Sequence, residues 1–155
     1  MTQVATSTYA GQIRRLPVAH ARVLITDAPS LWRQPVVDRL NEICSLPWGW
    51  DGYGAGPVNF ATAAFALNML SVTCSPETRA PSIVPGQSGD LQVEWHTEDK
   101  DIEIHVIGPN RVTAWIHIVG RDEDDKELEF TNDFTQLSGW IRNLTGAPGA
   151  VRSAA

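Results

Sequence analysis

From Ser82 onward, apolar residues alternate with polar ones, and this two-residue period constrains the fold more than any other feature of the chain. Such alternation is typical of a β-strand with one buried face and one solvated face. The turn residues Glu98-Asp99 and Gly108-Pro109-Asn110 separate three long alternating segments, and a short fourth one follows. We therefore predict a four-stranded antiparallel meander. Its apolar positions are Leu91, Val93 and Trp95, then Ile102, Ile104 and Val106, then Val112, Ala114, Ile116 and Ile118, and finally Leu128 and Phe130.

Three other segments carry the 3.6-residue period of a helix, and each is preceded by a residue typical of a helix N-cap. The predicted caps are Ser30, Asn59 and Asp133, and the predicted ends are Pro47, Pro76 and Gly146. The predicted class is α+β, with two N-terminal helices joined by a Gly/Trp-rich loop, the meander, and a C-terminal helix packed on its apolar face. The predicted helical stripes are Leu31, Trp32, Val36, Val37, Leu40, Ile43 and Cys44; then Phe60, Ala63, Ala64, Leu67, Leu70 and Val72; and then Phe134, Leu137, Trp140, Ile141 and Leu144.

We predict that the last helix contacts the sheet through Trp140, which should pack against Trp95, Ile104 and Ile116.

A chain of 155 residues suits one domain that buries its own core. We predict a flexible arm over residues 1–22, a single domain over 23–146 that starts with a short strand at Val23-Leu24-Ile25, and a frayed tail over 147–155. The N-terminal residues lack the apolar core of a signal peptide, and no apolar run approaches the ~18 residues of a membrane span. The expected location is therefore the cytoplasm.

The charge is concentrated in the predicted meander. Residues 94–133 contain twelve acidic and four basic residues, whereas the whole chain has a net charge of −6. Such a surface repels nucleic acid and attracts basic partners, although it could also be a plain solvated face.

The loop over residues 46–57 combines four glycines and two prolines with three large aromatic residues. One interpretation is a recognition patch formed by Asp51 and Tyr53 beside Trp48 and Trp50, because aromatic residues are favoured at interface centres. The other is structural: the tryptophans fill the core beneath the loop, and Asp51 accepts hydrogen bonds from turn amides. We favour a mixed outcome, with the tryptophans structural and Tyr53 at the surface. The glycine spacing does not match a phosphate-binding loop.

The polar face of the predicted sheet offers a second candidate site. The turn lengths place Glu94 opposite Glu103, and they bring His105 and His117 to the same side of three neighbouring strands. Carboxylates directly opposite one another are destabilising, and a divalent metal would relieve the repulsion. These four residues are the alternative site, for a metal-dependent enzyme or metal-binding protein.

An acidic loop and two cysteines are the remaining candidate features. The loop Asp122-Glu123-Asp124-Asp125 lacks the glycine and the terminal glutamate of a calcium loop, so it is interpreted as a solvated hairpin that can contact a partner. Cys44 and Cys74 fit no metal spacing and no disulfide framework, which favours buried reduced thiols.

The order of motifs resembles that of a widespread group of small, uncharacterised bacterial and phage proteins. The matching segments are Gly49-Trp-Asp-Gly-Tyr-Gly-Ala55, Pro81-Ser-Ile-Val-Pro85, Gly89-Asp-Leu-Gln-Val-Glu-Trp95 and Asp101-Ile-Glu-Ile-His-Val106. The chain departs from the group's pattern at His105, where an acidic residue is usual. The resemblance implies the domain and carries no established activity.

No catalytic motif is present, so the sequence favours a non-enzymatic interaction protein without a cofactor. It is expected to bind, and to inhibit or neutralise, a protein partner with a basic surface, in the manner of antitoxins, immunity proteins or anti-CRISPR proteins. The predicted contact residues are Asp51, Tyr53, Asp122, Glu123, Asp124 and Asp125. The alternatives are the metal-dependent enzyme and an oligomeric scaffold or homodimer formed by sheet-edge pairing.

Overall fold

The structure is a computed structural model that describes residues 29–145. Within this range the chain forms three α-helices, five β-strands and a single 3₁₀ turn at Asp122–Asp124. The predicted arm, the strand at 23–25, the Gly146 helix end and the tail lie outside the described residues. The helices are α1 (Arg33–Cys44), α2 (Phe60–Thr73) and α3 (Thr135–Ile141); the strands are β1 (Ser82–Pro85), β2 (Leu91–His96), β3 (Lys100–Gly108), β4 (Arg111–Ile118) and β5 (Lys126–Phe130).

The α+β class is confirmed, but the sheet has five strands in the order β1-β2-β3-β4-β5 and not the predicted four. The additional strand is β1, and it pairs antiparallel with β2. It was missed because its four residues end in a proline, which cannot donate to a ladder and normally argues against a strand. Proline is tolerated here because β1 lies at the edge of the sheet.

The register predicted from the turns is confirmed. Glu94 lies opposite Glu103, and Gln92 lies opposite His105. Across the next hairpin, Glu103 lies opposite Trp115, and a bulge between Val106 and Gly108 accommodates the extra turn residue. The face bearing the alternating apolar residues is therefore a single surface, which we call the inner face, and the opposite side is the outer face.

The inner face is buried beneath the three helices, which lie side by side. Helix α2 packs on β3, α1 packs on α2 and on β1, and α3 packs on α2. Trp95, Ile104 and Ile116 are buried as predicted. The terminal helix α3 was predicted to pack on the apolar face of the sheet, but α2 makes most of the helix contacts with that face and α3 packs mainly on α2. Trp140 is only half-buried, and its ring packs edge-on against Phe130 with 6.3 Å between centroids.

The ends of the helices follow the predicted capping residues in part. The Ser30 hydroxyl accepts a hydrogen bond from the Arg33 N–H (3.2 Å), and an Asp133 carboxylate oxygen accepts one from the Thr135 N–H (3.0 Å). Asn59 occupies the N-cap position of α2, but its side chain makes no capping bond.

The predicted apolar stripe of α2 was wrong in part. Phe60 and Val72 are exposed, whereas the buried residues of the helix include two threonines. Helix α2 is apolar nearly all the way round, so periodicity could not select the buried side. The buried residues are Thr62, Ala63, Ala66, Met69, Leu70 and Thr73.

Candidate functional site

The loop over residues 46–57, which we call the aromatic loop, is held together by one carboxylate. A single Asp51 oxygen accepts hydrogen bonds from the N–H groups of Tyr53, Gly54 and Ala55, each at 3.0 Å. These three bonds, led by that from Gly54, hold the pKa of Asp51 below its usual value. Asp51 therefore accepts hydrogen bonds from turn amides, as its structural interpretation predicted, and it stabilises the turn that carries Tyr53.

The three aromatic residues of the loop have different environments. The Tyr53 side chain is 94% exposed, at the surface position that was predicted for it. Trp48 was predicted to fill the core, but it is 81% exposed. Trp50 is half-buried and donates its indole N–H to the carbonyl of Gly56 (2.8 Å). Trp50 is therefore anchored to the loop backbone and does not belong to the buried core, so the prediction that both tryptophans fill the core was wrong.

The exposed ring of Trp48 lies close to the backbone of Gly56. A Cβ built on Gly56 would stand 3.0 Å from two atoms of that ring, so glycine leaves room for this contact. Nearby at the start of α2, the Phe60 side chain is 79% exposed. The helical period of α2 predicts Phe60 in the core, and this prediction was wrong, so the surface near the loop has a third exposed aromatic residue.

The predicted contact residues do not form one patch. The Asn59 N–H donates to the Gly89 carbonyl (2.9 Å), so the aromatic loop adjoins the β1–β2 turn. The acidic loop Asp122–Asp125 joins β4 to β5 at the opposite end of the sheet, where Asp125 contacts His117. Asp51 and Tyr53 are therefore separated from Asp122, Glu123, Asp124 and Asp125 by the length of the strands.

The outer face of the sheet carries acidic residues on several neighbouring strands. Glu94, Glu103, Trp115 and Glu127 lie side by side across β2 to β5. Glu103, Glu127 and Glu129 form no salt bridge with any residue in the range 29–145. The carboxylates at outer-face strand positions are Glu94, Asp101, Glu103, Glu127 and Glu129.

Each outer-face histidine contacts a carboxylate of its own. His105 contacts Asp90, and His117 Nδ1 lies 2.8 Å from Asp125 Oδ1. The His117 ring also stacks on Trp115, with centroids 5.7 Å apart and an interplanar angle of 5°. These contacts hold the imidazoles in separate places along the strands.

His96 contacts two carboxylates, with Nδ1 3.1 Å from Asp101 Oδ1 and Nε2 3.3 Å from Glu94 Oε2. Partial burial lowers the pKa of His96, but the bonds to Asp101 and Glu94 outweigh this effect, and the net pKa lies above its usual value. Sequence analysis did not single out His96, although its place in the β2 alternation put it on this face.

The alternative metal site receives no geometric support from this arrangement. Among the described residues, no group of three or more His, Cys, Asp or Glu side chains is placed to hold a metal ion. Of the four candidate ligands, Glu94 and Glu103 are adjacent, but His105 and His117 pair with Asp90 and Asp125 instead.

The two thiols are poor candidates for a nucleophile. Cys44 and Cys74 form no disulfide in the structure and are partly buried, whereas the sequence predicted that both are buried. Burial raises the pKa of the Cys74 thiol to about 11, so this side chain stays protonated at neutral pH. The pKa of Cys44 is also raised by burial.

Comparison with protein-family models, with curated proteins and with solved structures gave no match. The resemblance drawn from the order of the motifs stays a prediction. No helix in the range 29–145 is both long enough and apolar enough to cross a membrane.

Proposed function

We propose that this chain is a non-enzymatic interaction protein that binds a basic protein partner through the outer face of its sheet. One observation carries the proposal: the helices pack on the inner side of the sheet, and the outer face carries Glu103, Glu127 and Glu129 near Trp115, none of them in a salt bridge with a residue of the range 29–145. An aromatic ring among acidic side chains suits a partner rich in lysine and arginine, since cations are attracted both to carboxylates and to the faces of aromatic rings.

The negative charge of the outer face also disfavours some classes of partner. Carboxylates repel phosphate groups, so direct binding of nucleic acid is not expected. A protein that covers the basic surface of its partner would prevent that surface from engaging other ligands. The proposed activity is therefore inhibition or neutralisation of the partner, as in antitoxins, immunity proteins and anti-CRISPR proteins, and this last step is an analogy of chemistry.

The aromatic loop offers a second contact region at the far end of the sheet. The loop carries the exposed rings of Trp48 and Tyr53, and the exposed Phe60 follows at the start of α2. Asp51 and the bond from Gly49 N–H to Ala55 O (2.8 Å) close the loop backbone. A pre-formed loop loses little conformational freedom on binding, which favours recognition. We assign it an accessory role, because charge alone gives it no preference for a basic partner.

The test compares two variants of equal net charge. In the first, Glu103 and Glu127 on the outer face are replaced by lysine. In the matched control, two exposed carboxylates outside the sheet are replaced by lysine: Asp38 in α1 and Glu77 in the segment between α2 and β1. Circular dichroism spectra and melting curves establish that both variants are folded.

The probe is labelled poly-lysine, and its binding is measured by fluorescence anisotropy at several salt concentrations. We expect the outer-face variant to bind about tenfold more weakly than the control, because it removes the attraction at the binding surface. Binding by the natural protein should also weaken with added salt, since exposed charges are screened beyond ~8 Å at physiological ionic strength. Equal binding by the two variants would contradict the proposed location of the surface.

A further inference from the structure

An open β-sheet has two edge strands, and in this sheet the two edges differ in how far other residues cover them. Edge strands expose unpaired N–H and C=O groups that can pair with another chain. Among the described residues the edge strands are β1 and β5.

The β1 edge is obstructed. The Arg39 side chain of α1 donates from Nε to the carbonyl of Ile83 (3.0 Å), which occupies an acceptor of this strand. Proline occupies position 85 at the end of the strand and removes its N–H, and α1 packs alongside. A four-residue strand with a proline and a covering arginine leaves little backbone for an incoming chain.

Within residues 29–145, no strand or helix pairs with or covers the free edge of β5. Strand β5 pairs with β4 on one side, contains no proline, and has exposed side chains at Lys126, Glu127 and Glu129. In the described residues that follow β5, Phe134 and Trp140 contact Phe130 on the inner face, and none of these residues pairs with the edge.

The side chains of β5 define which strand can pair there. Glu127 and Glu129 lie on the outer face, opposite Trp115 and Thr113 of β4. In an antiparallel pair of two β5 strands centred on Leu128, each Glu127 would lie opposite a Glu129 of the other copy, and like charges directly opposite are destabilising. Self-pairing is thus disfavoured, whereas lysine or arginine at alternate positions of an incoming strand would meet both carboxylates.

The alternate residues of such a strand would lie on the inner face, beside the half-buried Leu128. Lys126 at the start of β5 also belongs to this side, since it lies opposite the buried Ile116, and it disfavours a further basic residue there. Apolar residues fit this side best because they would extend the core at the edge of the sheet.

We propose that the partner is bound by strand addition at β5, and that its binding segment is an extended chain in which basic residues alternate with apolar ones. The inference rests on the proposed function, a basic partner, and it specifies how that partner is held. Main-chain hydrogen bonds would provide affinity, and the carboxylates of Glu127 and Glu129 would favour a strand in which basic residues alternate with apolar ones.

The experiment uses a synthetic peptide of alternating lysine and valine and two derivatives of it. One derivative is N-methylated at every lysine amide, and the other at every valine amide. In a strand, successive N–H groups point to opposite edges, so only one of the two methylation patterns blocks the edge that faces β5. Binding to the complete chain is measured by anisotropy, with a glutamate-valine peptide as the charge control.

Strand addition predicts that one methylated peptide binds like the parent and that the other binds at least about tenfold more weakly, as expected when several main-chain bonds of ~1 kcal/mol each are lost. The variant with Glu127→Lys and Glu129→Lys should weaken the parent peptide more than the Asp38/Glu77 control does. Equal binding by both methylated peptides, with poly-lysine still bound at the outer face, would overturn strand addition and leave the proposed function standing. If poly-lysine binding also shows no dependence on the outer-face carboxylates, both proposals fail.

Discussion

Two tryptophans flank helix α1, and they make the most direct test of how this fold is assembled. Trp32 is 2% exposed and lies in the core, whereas Trp48 is 81% exposed and rests against Gly56. Replacing a buried tryptophan with alanine removes its transfer free energy and leaves a cavity, and the usual cost is ~3–5 kcal/mol. An exposed substitution usually changes stability by less than ~0.5 kcal/mol.

The expected difference is readily measured in urea. With a denaturant slope of ~2 kcal/mol per molar, Trp32→Ala should lower the unfolding midpoint by ~2 M, and Trp48→Ala should shift it by less than ~0.3 M. The unfolding curves are best followed by far-ultraviolet circular dichroism, because each substitution removes a fluorophore. Trp32→Phe provides the control, and we expect an intermediate loss since phenylalanine fills part of the cavity.

The reasoning would be refuted if Trp48→Ala were as destabilising as Trp32→Ala. That result would mean that Trp48 belongs to the core, as its sequence context first suggested. A Trp32→Ala variant with an unchanged midpoint would equally remove Trp32 from the core and undermine the packing of α1.

Three further predictions concern the aromatic loop and the outer face. Gly52 has a φ of 83° with open space where a Cβ would stand, so Gly52→Val should cost ~1–2 kcal/mol through the backbone alone, and an unchanged melting curve would exclude this strain. The lowered pKa of Asp51 implies a stabilisation that is present above the unfolded-state pKa and is lost as pH falls through the folded-state pKa. The difference in unfolding free energy between the natural chain and Asp51→Asn should therefore shrink on acidification. Denaturant titrations at several pH values measure this difference. The pKa of His96, beside Asp101 and Glu94, is raised, so its stabilisation is complete below pH ~6.5 and is lost as pH rises through the folded-state pKa. His96→Gln should therefore lower the unfolding free energy most in mild acid. A His96 imidazole resonance that titrates below pH ~6.5 in NMR spectra would disprove this prediction.

Local periodicity was sufficient to predict most of the sheet. The register that pairs Glu94 with Glu103 followed from the two turns, because a strand has a period of two residues and a shift by one residue would expose its apolar side. The same periodicity placed Trp95, Ile104 and Ile116 on the buried face. The hydrogen-bonding capacity of Asp51 was also readable, since aspartate commonly accepts hydrogen bonds from turn amides.

Other features depended on contacts between distant segments. Strand β1 is too short and too rich in proline to be recognised alone, and it exists because β2 offers it a partner and α1 a cover. Helix α2 is apolar on several sides, so only its position on β3 decided that Thr62 is buried and Phe60 is exposed.

The candidate site shows the same division. The sequence determined which side chains are acidic and which strand face carries them, because both are properties of residues that are neighbours in the chain. Only the tertiary structure decided that Asp51 and Asp122 lie at opposite ends of the sheet, that Arg39 obstructs β1, and that β5 has one strand partner, β4, among residues 29–145. The physical reason is that periodicity reports the side on which a residue lies, whereas the residues that cover that side are brought there by the packing of segments far apart in the chain.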